Sequence, residues 1–451
     1  MSVPYTPHPF QEDAIGFLLQ RSGAALFATP GSGKTSTVLA AQTVLLETAR
    51  GGPMLVVAPI RVAKYVWPDE VAKWADFNHL KLAVLNGPKR DRLMVKGYDV
   101  YVVNYELLVW FLGNGGIEKT GVTTLVCDES TMLKNPTGVR FRALRKHLSR
   151  FTRRWILTGT PTPNGREDLW AQAFIVDGGR ALGAYVTHFR NRYFYTSHNG
   201  FDRHLQIGAA ERIDAAIKPF TMVVDGADFI KMPELVTNDV WVELPPAARK
   251  HYTELKNQFI TSFDDDTVTA ANKAVALGKC LQVCNGALYT NNPLYVEVHD
   301  AKIDALGELI GGMGGSAPLI FYQFRHDLER IEKAFPYLPR IGPGVSDGDT
   351  RILIDAFNAD KLPGLLSHAA SVGHGLQLQG AARHIVFFGL SHDLERYIQP
   401  IARVWRQGNP NSHVFVHRIL ARDTFDGAVA QVLEDKDATM SDVMRACRAS
   451  T

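Results

Sequence analysis

Short, unbroken apolar runs alternate with helix-period stretches along the first 170 residues. The runs are AALFA (24–28), MLVVAP (54–59), DVYVVN (99–104), TTLVCDE (123–129) and RWILTGT (154–160). Each is rich in apolar, often β-branched residues and is bounded by turn-forming or polar ones. Runs of that length predict strands buried on both faces of a parallel sheet. Between them lie helical stretches such as SGKTSTVLAAQTVLLETA (32–49). The alternation predicts a doubly wound α/β lobe over residues 1–170.

From 171 to 300 the pattern changes. Aromatic and charged residues mix in THFRNRYFYTSHNGFDRH (187–204), and long helical stretches such as AARKHYTELKNQFITSF (247–263) appear. This predicts a mostly helical insertion. The glycine-rich GGMGGSAP (311–318) then precedes new apolar runs at 319–324, 362–370, 384–390 and 413–420. Residues 301–451 are therefore expected to form a second α/β lobe.

A chain of 451 residues exceeds one ordinary core, which agrees with two lobes. Hydrophobic residues at 46% and charged residues at 21% fit a globular protein. No apolar run approaches the roughly 18 to 20 residues of a membrane span. The opening MSVPYTPHPFQED has neither a basic leader nor an apolar segment, so a cytoplasmic location is expected. Four scattered cysteines (Cys127, Cys280, Cys284, Cys447) do not make a disulfide framework, and are expected as buried or half-buried thiols.

The net charge is only +3, so polyanion binding must rest on local patches. One candidate is VRFRALRKHLSRFTRR (139–154), read as a basic helix carrying Arg140, Arg142, Arg145, Lys146, Arg150, Arg153 and Arg154. A solvated helix face accounts for it equally well.

The chemistry sits at the ends of two predicted strands. ATPGSGKT (28–35) lies between a strand and a helix, the context in which a glycine-rich loop cradles phosphates. Gly31 and Gly33 free the backbone N–H groups, and the helix N-terminus adds positive potential. Lys34 is suited to the β- and γ-phosphates and Thr35 to Mg²⁺, with Thr29 and Ser32 completing the loop. Asp128 and Glu129 end the strand TTLVCDE. Asp128 is suited to hold Mg²⁺, and Glu129 to orient and deprotonate an attacking water.

Together these motifs resemble the superfamily 2 helicases and translocases, and most closely the Swi/Snf-type ATPases. The loop has their A-x-x-G-x-G-K-T form, with Ala28 where other nucleotide loops carry glycine. ILTGTPTPN (156–164) resembles motif III, VVAPIRVAKYVWPDEVAKW (56–74) motif Ia, SVGHGLQLQGAARHIVFF (371–388) motif V, and YIQPIARVWRQGNP (397–410) motif VI. DESTMLKNP (128–136) is similar to their second motif, but Thr131 replaces the usual His, at a position that helps couple hydrolysis to motif III.

The resemblance implies two RecA-like lobes around the insertion and an ATP- and Mg²⁺-dependent, nucleic-acid-stimulated ATPase. Gln11 would read the adenine edge, Gln399 would contact nucleotide, and Arg403 and Arg406 would stabilise the γ-phosphate. Pro59, Arg61, Asn104, Tyr105, Thr158, Gln323, Ser371 and Gln377 would track the nucleic-acid backbone. The expected partner is DNA, duplex or branched, alongside replication or recombination proteins, with a monomeric motor of compact phage or bacterial type. The leading expectation is a translocase on duplex DNA. A strand-separating DNA or RNA helicase is the alternative, though no wedge hairpin is recognisable, and a non-motor nucleotide switch or kinase has no use for the motif VI arginines.

Overall fold

A computed structural model describes residues 2–29, 31–197, 203–224, 232–264, 270–290, 294–372, 376–406 and 408–448, apart from the side chains of 258–274. The histidine and two glycines at 373–375 of the motif V segment lie outside the described residues, as do positions 198–202 of the aromatic, charged stretch. The chain divides into two compact units: 1–198 with 202–230 and 436–451, and 199–201 with 231–435.

The first unit is built on strands β1 (Gly23–Ala28), β2 (Met54–Ala58), β3 (Leu82–Val84), β4 (Val100–Asn104), β5 (Thr124–Asp128) and β6 (Arg153–Thr158). An antiparallel hairpin, β7 (Phe194–Thr196) and β8 (Arg203–Leu205), follows, and then β9 (Thr221–Val224). The sheet runs β3-β4-β2-β5-β6-β1-β9 with every neighbouring pair parallel. Every residue of β2, β4 and β5 is buried, which is why these strands read as continuous apolar runs. Their side chains join a core containing Tyr101, Phe111, Phe141, Trp170 and Phe174.

The second unit contains β10 (Glu234–Val242), a small antiparallel pair β11 (Ala287–Tyr289) and β12 (Tyr295–Glu297), and then β13 (Pro318–Tyr322), β14 (Arg340–Ile341), β15 (Leu365–His368), β16 (His384–Phe387) and β17 (His413–Ala421). Its sheet runs β10-β17-β16-β13-β15-β14, again parallel throughout. The fold class is thus two parallel-sheet α/β lobes. The segment from 171 to 300 is mostly helical, but it also gives β9 to the first sheet and β10 to the second.

Beneath the second sheet lies a buried polar network. Lys302, with a fully buried side chain, donates to Asp426 Oδ2 at 2.7 Å, Asn285 Oδ1 at 2.9 Å and the Phe388 carbonyl at 3.3 Å. Asn285 donates to Asp327 Oδ2 at 2.9 Å, and that same oxygen accepts the backbone N–H groups of Gln323 and Phe324. Arg330 donates to the carbonyls of Asn285 and His299 and to Asp300. Gly286, at φ 99°, is needed here, since a Cβ would meet the His299 carbonyl at 2.2 Å.

Two expectations are corrected. The basic stretch 139–154 is not one helix: the helix is Val139–Arg145, a 3₁₀ turn covers Leu148–Arg150, and Arg153 and Arg154 already belong to β6. Several of its cations are engaged locally, with Arg140 on Glu106 at 2.9 Å, Arg150 on Glu118 at 2.8 Å, and Arg145 over the Phe174 ring. A hairpin, β7/β8, exists where none was expected; its strands are only three residues each, too short for an alternation to register.

Candidate active site

Because the first sheet is parallel, the C-terminal ends of its strands share one edge, the usual ligand edge of open α/β sheets. Register brings Phe27 beside Thr158, Leu157 beside Asp128, and Ala58 beside Asn104. Residues far apart in sequence are gathered there by strand order alone.

The loop after β1 turns through Gly31 (φ 87°) and Gly33 (φ 76°), left-handed conformations that a side chain disfavours. Gly33 caps the helix Lys34–Glu47, so the loop's amides and the helix N-terminus lie together. Gln11 braces this turn. Its Nε2 donates to the Ser32 carbonyl at 3.0 Å, and its Oε1 accepts the His8 N–H at 2.9 Å. A Cβ at position 33 would lie 2.2 Å from Gln11 Nε2, so glycine is also required for this contact. Thr29 donates its N–H to the Val224 carbonyl of β9 at 3.2 Å, and Ser32 closes a turn onto the Thr29 carbonyl at 3.2 Å. Lys34 Nζ donates to the carbonyl of Ala28 at 2.9 Å, which holds the ammonium beside the strand end. Thr35 follows it in the first helical turn.

The two carboxylates at the end of β5 have different environments. Asp128 is buried, and its Oδ2 accepts the indole N–H of Trp67 at 3.0 Å. Burial pushes its pKa up to about 6; the Lys34 ammonium pulls the other way, while the Glu129 charge adds to the rise. Glu129 has φ 60° and ψ 62°, a left-handed conformation that costs a non-glycine residue about 1–2 kcal/mol. In that conformation its Oε1 accepts two hydroxyls, Thr158 Oγ1 at 2.7 Å and Thr131 Oγ1 at 3.1 Å. Tyr105 braces the backbone beneath, its hydroxyl lying 2.9 Å from the Asp128 carbonyl and 3.2 Å from that of Glu129. Ser130 donates to Gln172 at 2.7 Å, and Gln172 donates on to the Pro161 carbonyl at 2.7 Å. The segment after β5 is therefore bonded to the segment after β6 through both Glu129 and Ser130.

Gln172 carries no sequence signal as a site residue, and Trp67 enters only through the motif Ia resemblance. Trp67 begins the helix Trp67–Lys73, directly after a π-helical turn over Val62–Val66 that follows β2. A single π turn often marks a functional site in a helix.

The residues expected to track nucleic acid separate into groups. Tyr105 and Thr158 are fully buried and use their hydroxyls on Glu129 and its backbone, so their side chains do not reach a surface. Asn104 is also buried and donates to Glu106 at 2.6 Å. Pro59 is buried at the end of β2, and Arg61 is half-buried just after it. In the second unit, Gln323 follows β13 and Ser371 lies in the short helix Ala369–Val372 after β15, both half-buried, while Gln377 is exposed and its carbonyl accepts from Asn358 at 2.9 Å. Gln399 and Arg403 lie one turn apart in the helix Leu394–Val404, with Arg406 just beyond its end. Gln399 is buried and donates to Glu395 at 2.9 Å. The chain after this helix is pinned by Trp405, whose indole donates to the Pro233 carbonyl at 2.7 Å. All four cysteines are free and buried.

Comparison with known proteins finds relatives along most of the chain. The SNF2-related domain model covers residues 10–283, and the helicase conserved C-terminal domain model covers 301–408. Putative protein p41 of Acyrthosiphon pisum secondary endosymbiont phage 1 is 36% identical over 98% of this chain and 99% of its own length. The mouse DNA annealing helicase and endonuclease ZRANB3 is 25% identical over 95% of this chain, which spans 40% of the mouse protein. The Sulfolobus solfataricus SWI2/SNF2 ATPase core in complex with dsDNA is 22% identical, with a TM-score of 0.46 over 100% of this chain and 96% of its own. No helix among the described residues is long and apolar enough to cross a membrane. The chain belongs to the SNF2-related family of superfamily 2, and is a helicase-like, nucleic-acid-stimulated ATPase.

Proposed function

We propose that this ATPase is a motor that tracks along double-stranded DNA. The observation that carries the proposal is the shared hold on Glu129, whose carboxylate is gripped by Thr131 on its own segment and by Thr158 at the end of β6. A base held by two segments is sensitive to the position of both. Contact of the chain after β6 with a DNA backbone would shift Thr158 and re-aim Glu129, which links turnover to nucleic acid. Thr131, at the position of the family's His, holds Glu129 from its own segment, and the Thr158 hydroxyl makes the link to β6.

The chemistry follows from the strand ends. The loop amides around Gly31 and Gly33 bind the phosphates, and Lys34 leaves the Ala28 carbonyl for the β- and γ-phosphate oxygens. Glu129 accepts a proton from water as the water oxygen attacks the γ-phosphorus. The bond to the β–γ bridging oxygen breaks, and ADP and phosphate leave. The motif VI resemblance assigns Arg403 and Arg406 the offset of charge on the transferring phosphoryl group. The buried Asp128 carboxylate, whose charged form is disfavoured by burial, fits a cation, and Thr35 offers a hydroxyl in the same region. Mg²⁺ bound by these two residues would supply charge neutralisation at the β- and γ-phosphates.

Displacement of a triplex-forming strand from duplex DNA tests this reading. ATP-dependent displacement, without separation of a plain duplex, is expected. Failure to displace the third strand while ATP is turned over would overturn it, and unwinding of a plain duplex would favour a strand-separating helicase instead.

A further inference from the structure

The first unit carries a second group of residues with the chemistry of a nucleic-acid site, on the helix Val186–Tyr193 and the β7/β8 hairpin. Helix Val186–Tyr193 buries Phe189 and Tyr193 and turns Tyr185, His188 and Arg192 outward, at a spacing of three and four residues that places them on one face. Tyr185 is 61% exposed and sits edge-on to His188, with ring centroids 5.3 Å apart. Three residues beyond Arg192, on β7, Tyr195 is 54% exposed and stacks at a tilt of 33° on His204 of β8, centroids 5.5 Å apart.

Two of the acids near this surface, Glu167 and Asp214, are already held by arginines. Glu167 is shared by Arg190 and Arg203, and Asp214 is taken by the buried Arg166. Arg192 and Arg212 instead lie over one aromatic ring, that of Tyr193, at 5.2 Å and 5.4 Å from its centroid. Among the described residues neither guanidinium meets a carboxylate. Two like charges gathered at one ring repel, and a nearby anion offsets that cost.

We infer that this surface binds an unpaired nucleic-acid strand: Arg192 and Arg212 take phosphates, and Tyr185 and the Tyr195–His204 pair stack on bases. The exposed rings decide the class of ligand. In a duplex the base faces are covered by their neighbours, so a surface that offers ring faces beside phosphate-binding cations suits single strands. This inference rests on the motor reading, and gives that motor a means of recognising DNA that is partly unpaired, such as a fork or a gap.

The test uses the full chain and fluorescently labelled oligothymidylate, with a blunt duplex as comparison, at one fixed salt concentration. Tyr195→Ala combined with Arg192→Glu is expected to weaken oligothymidylate binding by roughly 10-fold or more. Tyr195→Phe, which keeps the ring, is expected to bind like the parent. The unfolding midpoint checks that each variant is folded. Unchanged oligothymidylate affinity in the folded double variant would overturn the inference. So would an equal loss of affinity for the blunt duplex, which would make the patch a general polyanion surface. Displacement of oligothymidylate by polyglutamate at equal charge would point instead to an acidic protein partner and overturn it as well. Blunt-duplex stimulation of ATP turnover by the parent chain reads the motor separately: its absence would count against the motor and leave the strand comparison standing.

Discussion

Each lobe contains a buried polar network, and the two are built for different ends. In the second unit, Lys302, Asp426, Asn285, Asp327 and Arg330 bond mainly to one another and to backbone carbonyls. Lys302 has its three donors on three acceptors. That network is mostly internal and fixes structure, reaching the Gln323 and Phe324 amides, although among the described residues Asp327 Oδ1 and Arg330 Nε are buried without a hydrogen bond. In the first unit the polar groups gather at the sheet edge and are held in costly states. Asp128 is a buried carboxylate with its pKa raised to about 6, and Glu129 sits in a left-handed conformation. A strained Glu129 beside a poorly solvated Asp128 at one sheet edge marks where a ligand belongs.

Three substitutions sharpen the contrast, beginning with the largest effect. Lys302→Met leaves the Asp426 carboxylate buried without its partner, and should cost about 3–5 kcal/mol of stability. Urea unfolding measures this; a loss below about 1 kcal/mol would show that the second network is not bonded as described. Asp128→Asn should have the opposite sign. The folded carboxylate titrates near 6 against 3.8 for the unfolded chain, so its ionisation destabilises the metal-free protein as pH rises through that window. At pH 8 the Asn variant should be more stable by up to about 3 kcal/mol, with the gap closing as pH falls towards 4. A variant less stable than the parent at pH 8 would contradict this. Thr158→Val removes one hydroxyl from Glu129 and should lower kcat about 10-fold, the value of one bond to a charged acceptor at about 1.5 kcal/mol. If the variant instead alters the DNA concentration needed for half-maximal turnover and leaves kcat unchanged, Thr158 acts on nucleic acid and not on the base.

Much of this was legible in the sequence, for physical reasons. Central strands buried on both faces become unbroken apolar runs, so β1, β2, β4, β5 and β6 stood out, as did β13, β15, β16 and β17. Edge strands did not. β10 is half-exposed along most of its length and alternates irregularly, and β3, β9 and β14 have four residues or fewer. The phosphate loop and the Asp128–Glu129 pair were readable because local spacing carries their chemistry. The Thr158–Glu129 and Trp67–Asp128 contacts join residues 29 and 61 positions apart. Only strand order creates those, and a single sequence does not print strand order. For the same reason Tyr105 and Thr158 looked like surface contacts, when their hydroxyls face inward.

The most direct test of the account is steady-state ATP turnover by the parent chain and Glu129→Gln, with and without duplex DNA, alongside ATP binding. The account predicts strong stimulation of the parent by DNA, and no measurable turnover by Glu129→Gln despite retained ATP binding. Normal hydrolysis by Glu129→Gln, or a parent rate indifferent to every nucleic acid offered, would contradict it.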